Sequence, residues 1–218
     1  MIYLSASSIN LYQECPRCFW LKIKEKINRP SGPTSTLPNG MDYTLKNYFD
    51  SWRQKNKLPP ELKSLLPGKL LPDQDKISWL RSRSLAAINQ ELGIKIGGML
   101  DDALILEDQS IVPLDIKTRG FPLKEVHSAY ALQMSVYTYL LQKNRLKTRN
   151  LAYLAFWYLD HKNMDLNQPL RFNIAVEEIK TEPEKIDKIL NKIKQILDDQ
   201  IPLASPDCQF CQYRQLEI

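Results

Sequence analysis

The stretch VPLDIKTRG, residues 112–120, sets an acid, Asp115, and a base, Lys117, two positions apart in an otherwise apolar run. Side chains alternate between the faces of a strand, so Asp115 and Lys117 share one face and Leu114 and Ile116 the other. Upstream, IKIGGMLDDALILE (94–107) alternates in the same way, and Asp108 and Gln109 separate it from SIVPLDIKT (110–118). The two runs read as a β-hairpin with acids on both arms. Antiparallel pairing brings Asp101 and Asp115 together on one face, while Asp102 turns to the other and is the poorer ligand. Two carboxylates at close range repel, and one takes up a proton unless a cation lies between them. Oxygen ligands of this kind suit Mg²⁺ or Mn²⁺, and Lys117 could hold an attacking water or a phosphate. The plainer alternative for this stretch alone is a solvated ion pair on an edge strand, which is common and worth little.

Helical spacing surrounds the hairpin. SASSINLYQE (5–14) reads as a short helix capped by a serine, and MDYTLKNYFDSWRQKN (41–56) turns Leu45, Tyr48, Phe49 and Trp52 to one side. KISWLRSRSLAAINQELG (76–93) is expected to be a helix with Leu85, Ile88 and Leu92 inward and Gly93 as its stop. EVHSAYALQMSVYTYLLQKN (125–144) is helical. LAYLAFWYL (151–159) is apolar on both faces, as a central strand is, and LRFNIAVEEI (170–179) is strand-like. TEPEKIDKILNKIKQILDDQ (181–200) has the pattern of a helix opened by a capping box of Thr181 and Glu184. Residues 29–40, 58–75 and the tail from Ile201 read as loops by their Pro, Gly and polar content. The succession implies an α/β fold, one mixed β-sheet covered by helices.

With 218 residues, 43% of them hydrophobic and 25% charged, the chain has the composition of one ordinary globular domain. A net charge of +5 permits an acidic partner such as nucleic acid without demanding one. The N-terminus lacks the basic and apolar regions of a signal peptide, and the longest apolar run falls short of the ~20 residues of a membrane helix. The expectation is a cytoplasmic protein with reduced cysteines and no membrane partner.

All four cysteines lie in two C-x-x-C pairs, Cys15–Cys18 in CPRC and Cys208–Cys211 in CQFC. Such pairs supply four thiolates for zinc or an iron–sulfur cluster. A metal joining them would clip the ends of the chain together.

Gly98-x-x-Asp101, Asp115-x-Lys117 and Gln133-x-x-x-Tyr137, placed in order on hairpin, hairpin and helix, resemble the PD-(D/E)XK nuclease superfamily. The resemblance is to its RecB-like branch, which includes CRISPR-associated RecB-type exonucleases and the AddB nuclease domain. It implies a restriction-endonuclease-like core over residues 1–218, with a helical insertion at about 39–93. It also implies metal-dependent hydrolysis of DNA, by an exonuclease acting on single strands or ends in DNA repair or CRISPR adaptation. Asp101, Asp115 and the carbonyl of Ile116 become ligands of Mg²⁺ or Mn²⁺. Lys117 assists the nucleophile, and Gln133 and Tyr137 orient Lys117 or the DNA backbone. The four cysteines become ligands of a 4Fe–4S cluster, although the family's usual one early and three late cysteines are here two and two, which keeps Zn²⁺ open. The family's early histidine is missing from LPNGMDYTLKNYF (37–49), where Asp42 is the nearest metal-capable residue; His127 and His161 come too late in the chain to match. That gap motivates an alternative, a non-catalytic DNA-binding or assembly subunit with structural zinc. A zinc-stapled interaction module unrelated to nucleases would leave Asp115 and Lys117 separated or solvated. Lys22, Lys24, Lys26 and Arg29, with Arg145, Lys147 and Arg149, are candidate phosphate contacts, and Trp20, Tyr43 and Trp52 candidate stacking platforms.

Overall fold

The computed structural model describes residues 1–32, 35–162 and 167–215. Its elements are β1 (Ile2–Leu4), α1 (Ala6–Glu14), α2 (Pro16–Trp20), a π-helical turn at Leu21–Glu25, and α3 (Leu37–Gln54). A 3₁₀ turn (Pro60–Leu62), β2 (Lys69–Leu70), α4 (Gln74–Leu80), β3 (Ala86–Asn89) and β4 (Ile94–Gly97) follow. The chain continues through β5 (Asp102–Ile105), β6 (Ile111–Arg119), α5 (Ser128–Lys143), β7 (Leu151–Leu159), β8 (Phe172–Lys180), α6 (Glu184–Asp198) and α7 (Gln209–Gln215).

Five strands form the main sheet in the order β2-β5-β6-β7-β8. Strand β6 pairs antiparallel with β5 and parallel with β7, so the sheet is mixed and both β6 and β7 lie inside it. A parallel connection needs a crossover, and α5 supplies it. Leu114 and Ile116 face a core shared with Leu45 and Phe49 of α3. The opposite face packs beneath α5, α6 and α1, where Met134, Leu140, Phe156, Leu190 and Ile9 are buried. Apolar residues on both faces of β7 follow from this double cover. Helix α1 starts where Ser5 accepts a hydrogen bond from the Ser8 N–H, as a serine N-cap does.

The expected hairpin is narrower than its sequence pattern. Only β5 and β6 pair; β4 leaves for a second sheet, ordered β1-β4-β3. The helix expected over 76–93 is two elements. Helix α4 ends at Leu80, and Ala86–Asn89 is a strand antiparallel to β4. Gly93, with φ +62°, and the Asn89 side chain, which accepts from the Leu92 N–H, make the turn between them. A positive-φ glycine suits a strand turn as well as a helix end, and this sequence uses it for the turn. Helix α6 has no capping box: Pro183 stands at its N-cap, and the buried Thr181 hydroxyl has no hydrogen-bond partner. Within 58–75 lie the 3₁₀ turn and β2, and the first turn of α3 begins at Leu37, inside the loop expected over 29–40. The tail is helical at α7; residues 33–34 and 216–218 of the expected loops lie outside the described residues.

Candidate active site

The β5–β6 register sets Asp102 against Leu114, which puts Asp101 opposite Asp115 at the end of the hairpin. Asp101 Oδ2 accepts from the Ile116 N–H at 3.0 Å and so is tied to the neighbouring strand. Asp115 is 1% exposed. Because β6 is central, the alternative of a solvated pair on an edge strand does not apply. Lys117 Nζ lies 2.6 Å from Asp115 Oδ2, close enough for an ion pair. The approach lacks hydrogen-bond geometry, and that buried oxygen is left without a hydrogen-bond partner. Burial pushes the Asp115 carboxyl up to about 7; the Lys117 ammonium opposes the shift and the Asp101 charge adds to it.

Helix α5 closes the site from above. Gln133 Nε2 donates to the Tyr137 hydroxyl at 2.9 Å, as residues four apart on a helix can. Burial, and then the charge of Asp115, hold the Tyr137 phenol well above its ordinary range, so it stays neutral and keeps its own hydrogen to donate. The Lys117 ammonium stands 5.4 Å from the centre of the Tyr130 ring. A Cβ at Gly98 would stand 2.8 Å from Tyr137 Cε1, so Gly98 leaves room for the Tyr137 ring. The five side chains expected at the site, Asp101, Asp115, Lys117, Gln133 and Tyr137, are thus gathered at one end of the sheet.

Several neighbours have no motif to announce them. Lys46 of α3 reaches Asp101 Oδ1 at 3.2 Å and Asp42 Oδ2 at 2.8 Å. Burial pulls its pKa down, but Asp42 and Asp101 outweigh that and hold it above the usual lysine value. Asp42 is therefore linked to Asp101 through an ammonium. Asp102, wholly buried, has its carboxylate on Arg53 at 2.6 and 2.7 Å and on Arg81 at 2.8 Å. Asp50 joins the same two arginines, and Arg81 Nε donates to the Asp101 carbonyl. This network ties α3 and α4 to the acid-bearing end of β5. The i,i+3 pair Asp50–Arg53 and the i,i+4 pair Asp42–Lys46 were readable as helix-face pairs, but their partners on β5 were not.

Other candidates lie elsewhere. Arg149 and Lys147 bind Asp108 in the β5–β6 turn, at the opposite end of the hairpin from the acids. Trp20 Nε1 donates to the Asp199 carbonyl, and Lys55 stands over the Trp52 ring. Tyr43, 71% exposed, remains free to stack. His127 caps α5 by accepting from the Ala129 N–H, and His161 donates to the Gly120 carbonyl while stacking on Phe121.

Cys15, Cys18, Cys208 and Cys211 are all buried and together could hold a metal ion, joining the first and last segments of the fold. Arg29 Nη2 donates to Cys208 Sγ at 3.7 Å, while Nη1 binds Glu14 and the guanidinium covers the Phe210 ring. Burial pushes the Cys15 thiol up, but the Cys18 and Ser205 N–H groups outweigh it and bring it down to about 6. Arg29 is thus engaged at the cysteines instead of facing solvent as a phosphate contact.

The family model of the PD-(D/E)XK nuclease superfamily matches residues 73–216, which include the hairpin, α5 and the second cysteine pair. The chain belongs to this superfamily. Thirteen chains of solved structures also match. One is the crystal structure of a protein named SSO0001, 14% identical, with a TM-score of 0.46 over 97% of this chain and 84% of that one. No curated protein matches the sequence. Members of the superfamily are in general nucleases, some of them non-catalytic. No helix among the described residues is long and apolar enough to cross a membrane.

Proposed function

We propose that this chain is a divalent-metal-dependent deoxyribonuclease that cuts phosphodiester bonds of single-stranded DNA or DNA ends. The observation that supports the reading most is the buried Asp115 carboxyl, with one oxygen lacking a hydrogen-bond partner, opposite Asp101 and 2.6 Å from Lys117. Lys117 offsets part of the cost of burying that carboxylate, and a metal ion between Asp115 and Asp101 would relieve the repulsion of the two acids that Lys117 leaves. The donor set, two carboxylates and the Ile116 carbonyl at the edge where its own N–H meets Asp101, suits Mg²⁺ or Mn²⁺. Bound there, the ion supplies charge stabilisation for a phosphoryl group and a lower pKa for a water.

The chain's own groups do the rest. Lys117 holds the incoming water, or a non-bridging oxygen of the phosphate, on the face it shares with Asp115. Tyr137, fixed by Gln133, offers its hydrogen to the phosphate or water and, being neutral, adds no negative charge beside the acids. Exposed Tyr43 of α3, one residue from Asp42, provides a face for an unpaired base. The non-catalytic reading has one specific support, Lys46: with Lys117 it gives each acid an ammonium partner. Exonuclease action and a place in DNA repair or CRISPR adaptation follow from the RecB-like resemblance and are proposed on that ground.

The experiment is a time course on end-labelled single- and double-stranded DNA with Mn²⁺ or Mg²⁺, wild type beside Lys117→Ala. The expected result is cleavage that needs the metal and falls by at least about a hundredfold in the variant. DNA binding by a folded wild type without cleavage would select the non-catalytic reading. Equal cleavage by the variant would remove Lys117 from the mechanism.

A further inference from the structure

Cys15 Sγ lies 3.9 Å from Cys211 Sγ, and Cys18 Sγ lies 3.6 Å from Cys208 Sγ and 3.5 Å from Cys211 Sγ. All four sulfurs fall within 4.8 Å of one another. Four thiolates about 2.3 Å from one ion mark the corners of a tetrahedron with edges of about 3.8 Å. Those three separations lie close to that edge, and the remaining pairs are no more than 4.8 Å apart. A cubane of four irons and four sulfides is a body, not a point. Each thiolate binds a different iron at its corner, so the sulfurs must stand well beyond the spacing of a single-ion site. The iron–sulfur cluster that the resemblance implies does not fit these four residues as they are placed.

We propose that Cys15, Cys18, Cys208 and Cys211 bind one tetrahedral Zn²⁺ ion and no iron–sulfur cluster. The backbone at each pair suits a single ion. Cys15 is the N-cap of α2, with Pro16 behind it and Cys18 in the first turn. Cys208 stands just before α7, and the Cys211 N–H donates to the Cys208 carbonyl at 3.0 Å. Two C-x-x-C turns, each opening a short helix, therefore face each other across one point. Soft thiolates in a tetrahedral S₄ set select zinc among the common divalent ions. One Zn²⁺ with four thiolates leaves two net negative charges in a buried site. The Arg29 guanidinium, hydrogen-bonded to Cys208 Sγ, offsets part of that charge and is itself held by Glu14 and the Phe210 ring. The proposal does not depend on the nuclease reading.

The test is metal and sulfide analysis of protein made in medium containing both iron and zinc and purified without oxygen. Expected are one zinc per chain, no acid-labile sulfide and no visible absorption. Exchange with Co²⁺ should bring intense visible bands of a tetrahedral thiolate site. Four irons with four sulfides, a lone iron, or a folded protein that takes up no added zinc would each overturn the proposal. Arg29→Met, read by competition with a chromogenic chelator, should weaken zinc binding about tenfold. Unchanged affinity in that variant would overturn the role given to Arg29.

Discussion

At Asp115, burial and charge pull in opposite directions, and the balance sets how a cation binds. The carboxyl is pushed up to about 7 from 3.8, chiefly by burial. In the metal-free protein the folded state keeps a proton that the unfolded chain releases between about pH 4 and 7, so stability falls as pH rises through that window and levels off above it. A metal ion bound there, as proposed, would have to displace the same proton. Mn²⁺ affinity should therefore drop about tenfold for each pH unit below about 7 and be flat above it, as read by titration calorimetry. An affinity independent of pH from about 5.5 to 8 would show that Asp115 is not the group displaced. Lys46 makes a second test. Its ammonium contacts Asp101 Oδ1, the carboxylate oxygen not bound to the Ile116 N–H, and so competes with a metal for that atom. Lys46→Met should tighten Mn²⁺ binding by up to about fivefold, the worth of a partly exposed ion pair. Weaker binding would mean that Lys46 helps to order the acids instead.

Among the elements, the β5–β6 hairpin is positioned by charges that its own sequence does not reveal. That Asp115 and Lys117 share a strand face, and Gln133 and Tyr137 a helix face, was legible from strand and helix periods, whereas their assignment to one site came from the family resemblance. The Arg53–Asp102–Arg81–Asp50 network was not, because it joins α3, α4 and β5 across long stretches of chain. The strand at Ala86–Asn89 was hidden for a related reason. Leu85, Ile88 and Leu92 have helical spacing, yet pairing with β4 satisfies the backbone, and Ile88 is left half exposed. Tertiary pairing outweighs so weak a local preference. Asp102→Ala should cost about 3–5 kcal/mol in urea unfolding, because it leaves Arg53 buried with its main partner gone. A loss below about 1 kcal/mol would mean that water or Asp50 takes over that arginine.

On the scale of the whole molecule, the cysteine group and the acid pair belong to different parts of the fold. Asp115 sits on β6 inside the main sheet and Asp101 immediately before β5, whereas the cysteines join α2 to α7, whose residues stand nearly two hundred positions apart. Phe19 of α2 is fully buried in the principal core, so the N-terminal half of the clip is anchored without metal. The C-terminal half is not: Leu203 is 89% exposed, Ile201 and Phe210 are more than 40% exposed, and the one buried side chain of α7's first turn, Cys211, belongs to the cysteine group together with Cys208 just before it. Closing so long a loop through a bound ion restrains the unfolded chain by about 5 kcal/mol in the simplest entropy model. Removing the metal should therefore act first at the tail. Limited proteolysis after treatment with a strong chelator should cut between about residues 199 and 208 while leaving β5 to α6 intact, with the mass of the fragment as the readout. If the sheet is degraded as fast as the tail, the cysteine site and the acid site unfold as one unit, and DNA cleavage would not return when the chelator is removed and Mn²⁺ alone is restored. If the tail is cut first, cleavage should survive its release once the chelator is removed and Mn²⁺ is restored, because none of Asp101, Asp115, Lys117, Gln133 and Tyr137 lies within it.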